Sequence, residues 1–189
     1  MKALFSDPQV RNALLMIDWG ARRINLELDD DLPTTHWPAV DRAMQIAALR
    51  PHTLSSIGEG VVTDDAIQLG KGRFTPSEVA IRDAYDAFLD GLERFADYVS
   101  VGIVEVEDLE PYLRYWIRDV VSTNGSQDDM RWSLALLAYI DFYGFDGTID
   151  LFSRFGHEIR VGKQCWNSIS KSAGEWERTS LLVRTCQRA

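Results

Sequence analysis

Residues 81–99 carry large apolar side chains at spacings of four and three, and this seam constrains the fold more than any other feature of the chain. Because an α-helix has 3.6 residues per turn, these positions share one face, which predicts a helix with one buried side. The start of this helix is also marked: Thr75 is a suitable cap, Pro76 suits the first turn, and Glu78 completes a capping box. The members of the seam are Ile81, Tyr85, Phe88, Leu92, Phe95 and Val99.

The opposite face of the same helix is acidic. Like charges four positions apart on a helix cost about 0.2–0.5 kcal/mol per pair. Glu78 with Arg82 and Asp90 with Arg94 have the spacing for ion pairs that recover part of this cost. We therefore interpret the acidic face as either solvated or a docking surface for a basic partner. This acidic stripe comprises Asp83, Asp86, Asp90, Glu93 and Asp97.

The charge of the chain is concentrated in its middle. The net charge is −9 in total, with −2 over residues 1–74, −10 over 75–156 and +3 over 157–189. An acidic balance argues against direct binding of nucleic acid, whose phosphates attract basic clusters. The partner that it favours is a basic protein or the chain's own basic C-terminal region, with Arg160, Lys163, Lys171, Arg178, Arg184 and Arg188.

Apolar periodicity and cap signals predict helices on both sides of the acidic one. The first begins at Ser6, Asp7 and Pro8, a capping residue followed by a proline in the first turn, with Gln9 in the capping-box position if Ser6 is the cap. The second begins at Pro38. Residues 132–143 are apolar at ten of twelve positions, which predicts a central helix buried on all sides. Gly144 can end that helix and Asp146 can cap the next.

These signals together predict an all-α fold, a compact bundle of five to seven helices in a single domain spanning residues 1–189. Residues 51–74 are glycine-rich and predict an irregular segment or a small hairpin. Residues 157–189 form a basic C-terminal region whose structure the sequence does not indicate. Their two cysteines are consistent with a reducing compartment. No run approaches the roughly 20 apolar residues of a membrane span, so we expect a cytoplasmic protein.

No motif for chemistry stands out. The three histidines are dispersed, no short Cys-x-x-Cys or His-x-x-x-His pair is present, and no P-loop spacing is met. The sequence therefore predicts no metal, no cofactor and no catalytic residue. Asp141 is the one buried polar candidate, because it lies near the end of the most apolar helix. A buried carboxylate needs a partner, and we expect Arg118, Arg154 or a tyrosine to supply it.

The stretch "FLDGLERFADYVSVGIVEVEDLEPYLRYWI", followed by "LLAYIDFYGFDGTIDLFSRF", resembles a pattern in uncharacterised bacterial helical proteins. In that pattern an aromatic-rich helix runs through a Gly-Ile/Leu-Val turn into a "PYL.YW" helix. The resemblance covers about residues 75–155. It implies an all-helical fold and carries over no catalytic residue.

Three functions are consistent with these features. The first is a non-enzymatic interaction module, such as an adaptor, an inhibitor or an immunity-type partner of a basic protein. The second is an enzyme or small-ligand sensor with a pocket under residues 51–74, near Asp141, Tyr139 or His52. The third is a mimic of nucleic-acid charge, in which the acidic stripe joins a second group of carboxylates, namely Glu105, Glu107, Asp108 and Glu110.

Overall fold

The computed structural model describes residues 2–27, 29, 33–50, 74–122, 125–157 and 159, and this part of the chain is predominantly helical. The prediction of an all-α fold with five to seven helices is confirmed. The predicted irregular segment, apart from its last residue Phe74, lies outside the described residues, as does nearly all of the basic C-terminal region. In chain order the helices are α1 Lys2–Ser6, α2 Pro8–Asp18, α3 Arg42–Ala48, α4 Pro76–Ser100, α5 Val106–Val121, α6 Gln127–Tyr143 and α7 Asp146–Arg154.

The first long helix, α2, begins one residue later than the capping-box prediction requires. Ser6 ends α1, and Asp7 is the N-cap of α2, where its carboxylate accepts hydrogen bonds from the backbone N–H groups of Gln9 and Val10. A proline follows directly at the first helical position, where its missing N–H leaves no intrahelical bond unmade. The Ser6 capping box is therefore wrong, while the helix start is confirmed.

A two-stranded antiparallel sheet, which no sequence pattern predicted, precedes α3. Strand β1, Ala21–Arg23, pairs with β2, Ala39–Asp41. The prediction that Pro38 opens a helix is wrong, because Val40 lies in β2 and is fully buried. The helix begins after Asp41, whose side chain accepts a hydrogen bond from the backbone N–H of Met44 and so caps α3.

Helices α4 and α6 form the centre of the bundle. Helix α4 packs against α2, α3 and α7, and α6 packs against α3, α5 and α7. The apolar seam of α4 is buried as predicted, with Val99 partly buried at its end. In α6 residues 132–140 are buried on all sides, but Phe142 is 47 % exposed. The predicted burial of residues 132–143 is thus confirmed for residues 132–140 and wrong for residues 141–143.

The predicted start of α4 and the predicted end of α6 are confirmed. Thr75 and Glu78 form a capping box at the start of α4, and Gly144 ends α6 in the left-handed conformation. Gly91 packs so closely against α1 that a Cβ there would lie 2.3 Å from Leu4 Cδ1. No helix within the described ranges is both long and apolar enough to cross a bilayer.

Candidate interaction surface

The five carboxylates of the acidic stripe do not share one environment, although all five lie on α4. Asp83, Asp90 and Asp97 are exposed, and we refer to them as the outer row. Asp86 and Glu93 are half-buried and form hydrogen bonds to neighbouring helices, and we refer to them as the inner row. Members of a row are seven positions apart, and seven residues make nearly two helical turns. The stripe therefore divides into one row that faces solvent and one that faces protein.

Asp86 in the inner row contacts α6. Its Oδ1 atom accepts a hydrogen bond of 2.6 Å from the Tyr139 hydroxyl. Burial raises the pKa of the Asp86 carboxyl, and the nearby carboxylates of Asp90 and Asp83 raise it further, while Tyr139 and the Arg82 guanidinium partly offset this rise. The Asp86 side chain thus links α4 to α6 through Tyr139 and is engaged within the fold.

Glu93 in the inner row caps α7 from outside that helix. Its Oε2 atom accepts from the Gly147 N–H at 3.1 Å, and its Oε1 atom accepts from the Thr148 N–H at 2.5 Å. The predicted cap, Asp146, is the first residue of α7, and the N-cap residue Phe145 makes no side-chain cap. The prediction for Asp146 is therefore wrong, because a carboxylate 54 positions earlier in the chain satisfies the free N–H groups at this helix end.

Gly147 makes the approach of Glu93 possible. A Cβ atom at position 147 would lie 2.8 Å from Glu93 Oε2 and 3.1 Å from Ala96 Cβ. Both distances are tighter than ordinary van der Waals contact. A residue without a side chain is thus needed where α7 meets α4.

The outer row has no internal countercharge within the described ranges. No ion pair involves Asp83, Asp90 or Asp97 in that part of the chain, including the predicted pair between Asp90 and Arg94. Arg94 is exposed and lies on the same side of α4 as the row. At 1.5 Å per residue the three carboxylates are about 10 Å apart along the helix and span about 21 Å. Such a row can meet basic groups on a surface of that length.

The second predicted ion pair on α4, between Glu78 and Arg82, is also replaced by longer-range contacts. Glu78 pairs with Arg50, beyond the C-terminal end of α3. Arg82 is buried and donates to the Ala48 and Arg50 carbonyls at 2.9 Å each, which satisfies free carbonyls at that helix end. The Arg82 guanidinium also lies 4.6–5.2 Å from the ring centroids of Phe74, Tyr139 and Tyr143.

No protein-family model matches this chain, and neither does any curated protein or solved structure. The resemblance to uncharacterised bacterial helical proteins therefore stays a prediction. What the chain binds has to be argued from its own side chains.

A buried polar network around Arg42 escaped the sequence analysis. Arg42 donates to Asp129 at 2.9 Å and to Gln45 Oε1 at 2.9 Å, and its guanidinium lies 3.9 Å from the centroid of the Trp132 ring. The Tyr85 hydroxyl donates to the same Gln45 oxygen and accepts from Trp132 Nε1, both at 2.9 Å. The sequence offered one signal, because Arg42 and Gln45 are three positions apart and so lie on one face of a helix.

The Arg42 network joins four helices, α2, α3, α4 and α6, and has a structural role. Arg42 also donates to the Met16 and Ile17 carbonyls near the end of α2, at 2.6 and 3.2 Å. Burial alone would raise the pKa of the Asp129 carboxyl, but hydrogen bonds from Arg42 and Ser126 outweigh it and hold that pKa below its ordinary value. The network therefore links α3 to both α2 and α6.

Asp141 is half-buried, not fully buried. Two of its predicted partners are engaged elsewhere, because Arg118 pairs with Asp119 and Arg154 pairs with Asp150. Tyr139, two positions before Asp141 in α6, donates to Asp86. Within the described ranges no ion pair involves Asp141.

One residue named for the predicted pocket and both cysteines lie outside the described part of the chain. These residues are His52, Cys165 and Cys186. His157 is half-buried, and burial and the nearby Arg114 both lower its pKa. Among the described residues no group of three or more His, Cys, Asp or Glu side chains could hold a metal ion.

An open groove of about 360 Å³ runs along the outward face of α5. Tyr115 in this groove donates its hydroxyl to Asp18 at 2.7 Å, and this hydrogen bond, with burial and Asp119, raises the pKa of Tyr115 to about 12. Arg114 in the groove pairs with Glu110. Arg114 and Tyr115 in the groove are thus engaged by other residues, and Asp141 and Tyr139, which the sequence placed near the predicted pocket, do not line it. Its lining comprises Glu107, Glu110, Pro111, Arg114, Tyr115 and Arg118.

Proposed function

We propose that this protein is a non-enzymatic interaction module that binds a basic protein through the outer row of α4. The observation that carries this proposal is that Asp83, Asp90 and Asp97 are exposed in one row and make no ion pair with a described residue. Asp83 and Asp90 also raise the pKa of the Asp86 carboxyl, so these two exposed carboxylates repel the negative charge of their inner-row neighbour. A basic partner would relieve this repulsion.

The division of the stripe supports the proposal in a second way. Asp86 and Glu93 each have a structural partner, so their presence on α4 is accounted for by folding. No contact with a described residue gives such an explanation for the three carboxylates of the outer row. The low charge density of the outer row also favours a basic protein as its partner over mimicry of nucleic acid. The row has three charges over about 21 Å, whereas duplex DNA has roughly 12 phosphate charges over the same length.

The test is affinity capture with the full chain and two matched triple variants. One variant carries Asp83→Asn, Asp90→Asn and Asp97→Asn. The control carries Glu27→Gln, Asp128→Asn and Asp150→Asn, three exposed acids on other elements. We expect the wild type and the control to retain the same basic protein at 0.05 M salt, and the outer-row variant to lose it.

Salt dependence separates electrostatic docking from other contacts. The Debye length falls from about 10 Å at 0.1 M to about 3 Å at 1 M ionic strength, so we expect the captured protein to elute as salt rises. A partner that stays bound at 1 M salt and to the outer-row variant would contradict the proposal. Displacement of the partner by competing duplex DNA would favour the charge-mimic alternative.

A further inference from the structure

Three large apolar side chains are exposed where α4 turns into α5. Tyr98 is 44 % exposed, Val101 is 67 % exposed and Ile103 is 70 % exposed. We refer to these three residues as the apolar corner. Elsewhere on α4 Val79 is an isolated exposed apolar residue, whereas the corner concentrates three within six positions.

The backbone of this turn places the corner residues together. The Ile103 N–H donates to the Tyr98 carbonyl at 2.9 Å, and the Gly102 N–H donates to the Val99 carbonyl at 3.1 Å. With Gly102 at φ 73°, these bonds form a Schellman motif, which turns the residue after the glycine back towards the last helical turn. A Schellman motif often has an apolar residue after its glycine, which explains Ile103. It does not explain why Ile103 is 70 % exposed.

The corner is flanked by acidic residues, and the nearest basic residue in sequence, Arg94, lies one helical turn before Tyr98. Residues 95–113 contain five carboxylates and neither lysine nor arginine. Glu105 follows Ile103 by two residues, so their Cα atoms are at most about 7.6 Å apart. Asp97, Glu105, Glu107 and Asp108 are exposed and form no ion pair with a described residue. Glu105 is the N-cap residue of α5, yet its side chain makes no cap hydrogen bond.

An apolar centre within an acidic rim is complementary to one kind of partner. We propose that the apolar corner docks a basic amphipathic helix of the partner protein, with its aliphatic side chains on Val101 and Ile103 and its lysines or arginines against the rim. This inference rests on the proposed function and names the chemistry of the partner segment. A second copy of this chain would present the same carboxylates, and an anionic membrane would be repelled by them.

The probe is a synthetic helical peptide of leucine and lysine with one apolar face. Its control has the same composition in an order that leaves no apolar face. Each peptide is titrated into the ¹⁵N-labelled full chain, and backbone amide shifts are followed. We expect the first peptide to shift amides between residues 97 and 108, and the control to bind at least tenfold more weakly.

The paired variants locate the contact. The double variant Val101→Ser and Ile103→Ser should weaken binding of the amphipathic peptide at least tenfold. Val79→Ser, which changes an exposed valine at the other end of α4, should leave binding unchanged. Circular dichroism melting checks that both variants are folded, as expected for changes on the surface.

Three outcomes would overturn the inference. The first is equal binding of the two peptides, which shows that charge alone acts. The second is equal binding by the corner variant and by Val79→Ser. The third is self-association of the chain that the corner variant abolishes, because the occupant is then a second copy. If the natural partner is lost with the outer-row variant but retained by the corner variant, the proposed function stands and this inference alone fails.

Discussion

The Thr148 backbone N–H donates to the Glu93 carboxylate at 2.5 Å, across 55 positions of the chain. This contact converts a member of the acidic stripe into the cap of another helix. It explains why an acidic residue is half-buried between α4 and α7, and it separates the structural carboxylates of α4 from those left in solvent.

We expect Glu93→Ala to lower the free energy of unfolding by about 2 kcal/mol, because two backbone N–H groups at the start of α7 lose a charged acceptor. Asp90→Ala is the control, since it removes an exposed carboxylate from the same helix and should change stability by no more than about 0.5 kcal/mol. Urea unfolding followed by circular dichroism measures both. Equal effects would contradict the capping role.

Gly147→Ala should destabilise the protein through Glu93, because the added methyl group occupies the space that the carboxylate uses. We expect a loss of about 1 kcal/mol in the wild type and a smaller loss in the Glu93→Ala background. A double-mutant cycle measures the coupling, which we expect to be at least about 0.5 kcal/mol. If the effects of the two substitutions are additive, the destabilisation by Gly147→Ala comes from its contact with Ala96 and not from Glu93.

Asp86 should make stability depend on pH in a defined direction. Its pKa is raised in the folded state, so the folded protein favours the protonated carboxyl, and the contribution of Asp86 becomes less favourable as pH rises from the unfolded value, about 3.9, through the folded one. Asp86→Asn keeps an acceptor for Tyr139 without the charge. We expect the stability of the wild type relative to this variant to fall between pH 3 and pH 6. A difference that stays constant or rises would contradict this assignment.

Two arginine–tryptophan pairs allow a matched test of the buried network. Arg42→Lys keeps the positive charge beside Trp132, but a lysine ammonium group cannot donate to the same set of acceptors. We therefore expect the free energy of unfolding to fall by about 2 kcal/mol. Arg22 lies 5.1 Å from the ring centroid of Trp19, whose side chain is 52 % exposed. Arg22→Lys should therefore cost no more than about 0.5 kcal/mol. If chemical denaturation shows similar losses of unfolding free energy for the two variants, the structural role of the Arg42 contacts is contradicted.

Local signals predicted the helices well. The capping box at Thr75 and Glu78, the apolar seam of α4 and the end of α6 at Gly144 depend on residues a few positions apart, and the structure confirms them. The same reasoning failed at Pro38. The strand there forms because Val40 is buried and pairs with Arg22, a contact across 18 positions that no local signal contains.

The sequence by itself determined that α4 has one apolar and one acidic face, because helical spacing alone assigns residues to faces. Only the tertiary structure decided which carboxylates of the acidic face remain in water. Asp86 and Glu93 are engaged because α6 brings Tyr139, and α7 brings Gly147 and Thr148, to that side of the helix. The physical reason is that a carboxylate's environment is set by groups that pack against it from distant parts of the chain. Helical periodicity carries no information about those groups.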